Sequence, residues 1–300
     1  MKVLYDLSED NKNLALALGF FDGVHLGHQE VIKSAVNYAR KNGTKSAVIT
    51  FKEHPQVVLR GVAPAYISTK EKKYQKFEAL GVDFCYELDF VDVCKLSGVD
   101  YIEQFLVGNF SPISISTGFN HNFGYAKSGT TELLDEKSCE FDYKYFMVQP
   151  VSVDKETVSS SLIRKKLINA DLACAKNMLG EDFSISGVVQ KGASIARKIG
   201  YKTANVLYPQ NVLQLPFGVY KVEVNLKGQN YVGIANFGVK PTFENLTQKP
   251  LLEIHILGFD DEIYDEVLNV KFIEFIRKEM KFSSAQELIK QIELDMKNFV

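Results

Sequence analysis

The 300-residue sequence has no surplus of charge of either sign: 35 Lys and Arg stand against 37 Asp and Glu, a net of −2. No overall basic field is available to hold nucleic acid or an anionic membrane, so any nucleotide must be gripped locally. Long apolar runs are missing as well. None reaches the roughly 18 residues of a membrane span, and the opening Met1-Lys2-Val3-Leu4-Tyr5-Asp6 has neither the basic start nor the apolar core of a secretion signal. The expectation is a cytoplasmic protein with no nucleic-acid and no membrane partner. Cysteine is scarce: Cys85, Cys94, Cys139 and Cys174 form no Cys-x-x-Cys pair and have no histidine at metal-ligand spacing, which reads as reduced, packing thiols. Internal repeats and low-complexity segments are lacking too. What is present is an ordinary folded composition, 46% hydrophobic and 24% charged, over a length that suits two domains.

From Leu14 to Phe20 the chain is almost wholly apolar. Val31, Ile32, Ala35, Val36 and Ala39 then recur at helical spacing before another apolar run from Ala47 to Phe51. Strand, helix and continuous apolar strand predict a parallel sheet covered on both faces, as in nucleotide-binding α/β domains. A strand near Val82 to Leu88, a helix from about Val99 to Val107 capped by Ser97, strands at Ile113 to Thr117 and Tyr145 to Val151, and a helix from about Ser160 to Leu167 complete this half. After Gly180 the period changes to two. The segments starting at Gly218 and Tyr231 alternate like antiparallel strands about a turn at Gly228-Gln229-Asn230, and strands follow at Leu251 to Leu257 and Val267 to Phe275. The chain closes with a helix whose capping box is Ser284 and Glu287 and whose stripe is Leu288, Ile292, Met296 and Phe299. The predicted architecture is a Rossmann-like α/β domain over 1–180 followed by a small antiparallel β-barrel with a C-terminal helix over 181–300.

Gly19 to His28, containing His25-Leu26-Gly27-His28, sits where an apolar strand ends and an amphipathic helix begins. Gly19, Phe20 and Gly27 let backbone approach an anion, the helix N-terminus directs N–H groups at it, and His25 and His28 add hydrogen bonds. Two surface histidines at a helix start fit the same residues. Ser160, Ser161 and Arg164 put hydroxyls and a guanidinium at another helix start, a site for the β and γ phosphates of ATP or simply an N-cap beside a solvated arginine. Thr117 to Gly129 is a glycine- and aromatic-rich loop in which rings can stack on a flat heterocycle while Asn120 hydrogen-bonds its edge, or it is an ordinary packed loop.

Together these residues resemble the two-domain bacterial riboflavin kinase/FAD synthetase family, through Gly19 to His28, Thr50-Phe51 with His54-Pro55, Gly118 to Gly129 and Val158 to Arg164. In the second half the resemblance runs through Gly187 to Gly192, Arg197 to Asn205, Gly218-Val219-Tyr220, Asn236 to Phe243, Leu252 to Leu257, and Phe275-Ile276-Arg277. It implies a nucleotidyltransferase of the His-x-Gly-His type joined to a riboflavin kinase, with ATP, riboflavin, FMN and FAD as substrates or products and Mg²⁺ as cofactor. By the same resemblance His25 and His28 serve the α-phosphate, Ser160, Ser161 and Arg164 the pyrophosphate, and Asn120 and Arg277 the flavins. Gly192 and Arg197 would contact ATP, Thr203 and Asn205 the metal, and Glu253 would be the base. Departures stand at Ala196 and Asp265, where glycine is usual, at Lys202, where proline is usual, and at Glu53, His121 and Asn122. The altered loop around Lys202 leaves open an alternative in which only FAD synthesis operates and the second domain is a weak or inactive kinase acting as a flavin-binding module. A regulatory module and a nucleotidyltransferase for another phosphorylated acceptor are the remaining alternatives. The chain is expected to be a monomer or a weak homo-oligomer.

Overall fold

The computed structural model describes residues 1–9, 11–190, 202–239 and 250–297, so Gly192, Ala196, Arg197 and Phe299 lie outside the described residues. Two compact units form: Met1–Pro64 with Lys70–Ser160, and Ala65–Thr69 with Ser161–Val300.

The first unit holds the parallel sheet that the continuous apolar runs predict. Its strands are β1 (Lys2–Leu4), β2 (Ala15–Leu18), β3 (Ser46–Phe51), β4 (Phe84–Leu88), β5 (Ser114–Gly118) and β6 (Lys144–Val148). They lie in the order β1-β4-β3-β2-β5-β6 with every neighbouring pair parallel. All four residues of β2 are buried, as a strand covered on both faces requires. β3 and β4 extend to one side of β2, and β5 and β6 to the other. The crevice beyond the carboxyl ends of β2 and β5 is therefore the switch point where such sheets take ligands. Gly19 and Phe20 follow β2 there, and Asn120 follows β5.

Helix α1 (Leu26–Lys41) buries the predicted stripe of Val31, Ile32, Ala35, Val36 and Ala39 and ends in Arg40 and Lys41, which suit its C-terminal dipole. α2 (Pro55–Arg60) and α3 (Lys70–Ala79) come next. The helix predicted over 99–107 is not a single α-helix. It opens as α4 (Gly98–Asp100), capped by the Ser97 hydroxyl on the Asp100 N–H, continues as a π-helix over Tyr101–Val107 and ends in α5 (Gly108–Phe110). The wider π turn brings Tyr101, Ile102, Phe105 and Leu106 together into the core. α6 (Thr131–Ser138), a small hairpin of β7 (Ser152–Val153) and β8 (Glu156–Thr157), and α7 (Ser160–Ile168), which from Ser161 on belongs to the second unit, follow. β6 stops at Val148, short of the predicted Val151.

In the second unit, α8 (Leu172–Leu179) precedes a closed antiparallel barrel of β9 (Ser184–Gln190), β10 (Ala204–Leu207), β11 (Gly218–Leu226), β12 (Gln229–Val239), β13 (Pro250–Ile256) and β14 (Val267–Arg277), in the order β10-β13-β12-β11-β14-β9. The β11–β12 turn falls at Lys227 and Gly228, one residue before the predicted place, because both central positions are left-handed, with φ of 50° and 86°. α9 (Ala285–Lys297) has its cap as predicted on one side: the Ser284 hydroxyl accepts from the Glu287 N–H at 3.2 Å. The Glu287 carboxylate returns to the N–H of Ser283 instead of Ser284. Leu288, Ile292 and Met296 are only half-buried, and among the described side chains of this helix the buried one is Asp295. Of the four cysteines, Cys85 alone is buried and Cys139 is exposed, so packing accounts for one thiol and not for the set.

Candidate active sites

In the first unit the turn between β2 and α1 is backbone held against its own preferences. Phe21, Gly23 and Val24 all have positive φ, at 58°, 76° and 44°. The carbonyls from Phe20 to Val24 are all tied. Phe20 O accepts from the Thr50 hydroxyl at 3.1 Å, Phe21 O from the Val24 N–H, Asp22 O from the Ser160 hydroxyl at 3.2 Å, Gly23 O from Lys76 Nζ at 2.8 Å and Val24 O from the Gln29 amide at 3.0 Å. A turn whose carbonyls are all turned to protein donors presents its opposite side to an anion.

His25 caps α1: its Nδ1 accepts the His28 N–H at 3.3 Å, which leaves the proton of the neutral ring on Nε2 as a donor. The His25 and His28 rings stack with centroids 3.6 Å apart. Gly27 makes this possible, since a Cβ there would come within 3.3 Å of the His25 ring. A Cβ on Gly19 would sit 2.9 Å from the Phe21 ring. Gly19, Phe20, His25, Gly27, His28 and Ser160 are thus gathered about one turn. Arg164 Nε donates to the Ala65 carbonyl at 2.8 Å in the second unit, and Ser161 belongs to that unit as well.

On the β5 side, the Asn120 carbonyl accepts from the Asn122 amide at 2.9 Å. His121 stacks on Phe123, its Nε2 is buried with no hydrogen-bond partner among the described residues, and burial pushes the imidazole down to about 4. The sequence reading passes over α3, whose Lys73 and Lys76 both face the 19–28 turn. A lysine-rich decapeptide reads as a solvated helix, and the buried Phe77 was the available signal.

In the second unit, strand register assembles the predicted residues. Asn205 lies opposite Glu253, Glu253 opposite Asn236, Asn236 opposite Val219, and Val219 opposite Arg277. Directly opposed residues share a face, so five strands place Asn205, Glu253, Asn236 and Arg277 in one lateral row. A cavity of about 270 Å³ lies over Glu253, Asn236 and Arg277 of the row, walled by these and Thr203 on one side and by Leu288 and Ile292 of α9 on the other. A second, smaller cavity is lined by Thr203, Asn205, Asp261 and Tyr264, so Thr203 faces both. Arg277 reaches the first cavity with its guanidinium already engaged, donating from Nε and one terminal nitrogen to the buried Asp295 carboxylate at 2.8–3.1 Å.

The Asn205 Oδ1 atom is buried and accepts no hydrogen bond among the described residues. An unsatisfied amide oxygen beside a threonine hydroxyl suits a hard divalent cation that also keeps phosphate and water ligands. Two departures are accommodated. The Lys202 carbonyl accepts from His255 Nδ1 at 2.9 Å and Lys202 Nζ donates to the Asp260 carbonyl, so this position is anchored without proline. Asp265 adopts φ 65°, the left-handed conformation for which glycine is usual and which aspartate tolerates better than most residues.

Comparison with known proteins matches both halves. The family model for FAD synthetase covers residues 7–162 and that for riboflavin kinase residues 179–300. The bifunctional riboflavin kinase/FMN adenylyltransferase of Bacillus subtilis is 35% identical over 295 residues, covering 96% of this chain and 92% of its own length. That of Haemophilus influenzae is 35% identical over 303 residues, covering 99% and 97%. A solved structure from Streptococcus pneumoniae, described as a macrolide-efflux protein, superposes with a TM-score of 0.88 at 29% identity over 98% of this chain and 97% of its own. Among the described residues of the present chain no helix is long and apolar enough to cross a membrane. With the two family models matched in succession and curated relatives 35% identical over nearly the full chain, the chain belongs to the bifunctional riboflavin kinase/FMN adenylyltransferase family.

Proposed function

We propose that the two reactions of the family, phosphorylation of riboflavin to FMN and adenylylation of FMN to FAD, are divided between residues 181–300 and 1–180, with each step using the residues named above. In the kinase step the ribityl hydroxyl attacks the γ-phosphorus of ATP, ADP leaves, and Glu253 takes the hydroxyl proton. The flavin ring occupies the cavity under α9, with Arg277 as part of its wall. Thr203, facing both cavities, marks where the hydroxyl and the γ-phosphate meet. Thr203 and Asn205 would hold Mg²⁺, which when bound supplies neutralising charge at the ATP phosphates. Gly192 and Arg197 belong to this site by resemblance and lie outside the described residues.

In the adenylyl step an FMN phosphate oxygen attacks the α-phosphorus of ATP and the bond to pyrophosphate breaks. The nucleophile is already an anion, so no base is needed, and the work is alignment and charge stabilisation. His25 and His28 with the Gly19, Phe20 and Gly27 backbone receive the α-phosphate, Ser160, Ser161 and Arg164 the leaving pyrophosphate, and Asn120 the flavin side. The location is cytoplasmic and the chain a monomer or weak homo-oligomer.

The observation that carries this reading is the lateral row in which Glu253 and Asn236 line the cavity of about 270 Å³ and Asn205 lines the adjoining one, set in a different unit from the tied 19–28 turn. Incubation of the full chain with Mg-ATP and either riboflavin or FMN, with the flavins separated by chromatography, tests it. Glu253→Gln should suppress FMN formation at least a hundredfold and spare FAD formation from FMN, and His28→Ala should do the reverse. Equal loss of both reactions in either variant would overturn the division.

A further inference from the structure

The first unit buries one lysine that neither reaction has used. Lys73 of α3 is 6% exposed, although an ammonium leaves water only at high cost unless it is compensated. Its Nζ lies over the face of the Phe20 ring, 4.8 Å from the centroid. The charged and titratable groups about it are Glu87 and Cys85 of β4, the Asp22 carboxylate of the 19–28 turn, and Lys70 of its own helix. Burial lowers its pKa, while Glu87, Cys85 and Asp22 oppose that shift. Glu87, fully buried, is paired in turn with Lys70. Three residues along the same face of α3, Lys76 Nζ holds the Gly23 carbonyl, and Phe77 packs edge-on against Phe21 with centroids 5.9 Å apart. One face of this helix therefore grips the 19–28 turn at Phe20, Phe21 and Gly23.

Asp22 creates the need for such a grip. It is a buried carboxylate within a turn that must admit a triphosphate, and like charges repel strongly where water is excluded. We infer that Lys73, seconded by Lys76, is a positioning residue for adenylyl transfer, offsetting the Asp22 carboxylate and bracing Phe20 so that the turn can accept the phosphates of ATP. The inference rests on assigning the 19–28 turn to ATP.

The test is steady-state adenylyl transfer by the full chain, varying ATP and FMN separately, with riboflavin phosphorylation by the same preparation as the control for intact protein. Lys73→Met keeps the length and apolar stem and removes the charge. It should raise the KM for ATP at least tenfold while the KM for FMN and the kinase step stay within twofold, and Lys73→Arg should restore most of the ATP affinity. Asp22→Asn added to Lys73→Met should recover affinity relative to the single variant, because the carboxylate that repels the phosphates is gone. The pH profile gives an independent readout: the alkaline limb of kcat/KM for ATP should move upward in Lys73→Arg. A fall in kcat alone, unchanged KM values, or a double variant no better than the single would overturn the role. Should Lys73→Met fail to fold, Lys73→Gln carries the same comparison, and loss of the fold in both would assign the lysine to stability alone. His28→Ala separates the two levels. If it leaves adenylyl transfer intact, the ATP assignment of the turn is wrong, whereas its loss together with a silent Lys73→Met rejects only the lysine.

Discussion

Val24 is a β-branched residue at φ 44°, a conformation that costs an L-residue about 1–2 kcal/mol. It stays there because its side chain is fully buried and its carbonyl is held by Gln29; strain of this kind persists only where surrounding contacts over-determine it. His121 is a second residue held away from its solution behaviour. Its imidazole is neutral in the folded chain down to about pH 4, against an ordinary value of 6.5. The unfolded chain takes up that proton first as the pH falls, so this group's stabilisation is present above 6.5, falls away between 6.5 and 4, and levels off below. His121→Phe should abolish that slope. Thermal melts should show the native chain losing about 1 kcal/mol more than the variant between pH 7 and 5, roughly half of full linkage because the ring keeps some exposure.

Among the elements, α9 shows how a helix can be specified by a charge. Its buried anchor is Asp295, which receives the Arg277 fork and the Gln291 amide, and Arg277 in turn lies over the Phe282 ring. Removing one partner of such a pair costs about 3 kcal/mol, since the other charge is left buried. Asp295→Asn should therefore loosen α9 over the cavity proposed to take the flavin, raising the KM for riboflavin about tenfold and leaving adenylyl transfer from FMN unchanged. The sequence makes some elements legible and hides others for physical reasons. Apolar β2 and β3 about an amphipathic α1, the alternation of β11 and β12, and the Ser284 cap of α9 are local patterns, and the structure has them. The π-helix at Tyr101–Val107 shares its apolar spacing with an α-helix, so sequence alone reads it as one. Helix α3 hides because its lysines give no apolar stripe, and nothing local announces that one of them is buried. The row of Asn205, Glu253 and Asn236 is a matter of register between distant strands. Resemblance supplied Asn205 and Glu253 without the row, and Asn236 entered only as part of a matching stretch.

At the scale of the whole molecule, the proposal assigns two successive reactions to different stretches of one chain, and the product of one is the substrate of the other. A mixture of His28→Ala and Glu253→Gln chains should then convert riboflavin to FAD, with FMN visible in solution before FAD accumulates. A mixture in which FMN stayed bound to the His28→Ala chain and no FAD formed would mean that FMN is not released to bulk solvent. The near-neutral charge of the chain gives neither anionic flavin phosphate nor ATP any long-range steering, so both encounters should be nearly insensitive to ionic strength.

The second unit is also discontinuous along the chain. Tyr66 exchanges backbone hydrogen bonds with Asn211 and Leu213, so the 65–69 segment takes its strand-like partners from far downstream. On the ribosome, at about 5–20 residues per second, that segment emerges roughly ten seconds before its partners exist. For that interval a short stretch of nascent chain between two parts of the folding first unit must remain unpaired. A chaperone or a misplaced strand has that long to find it.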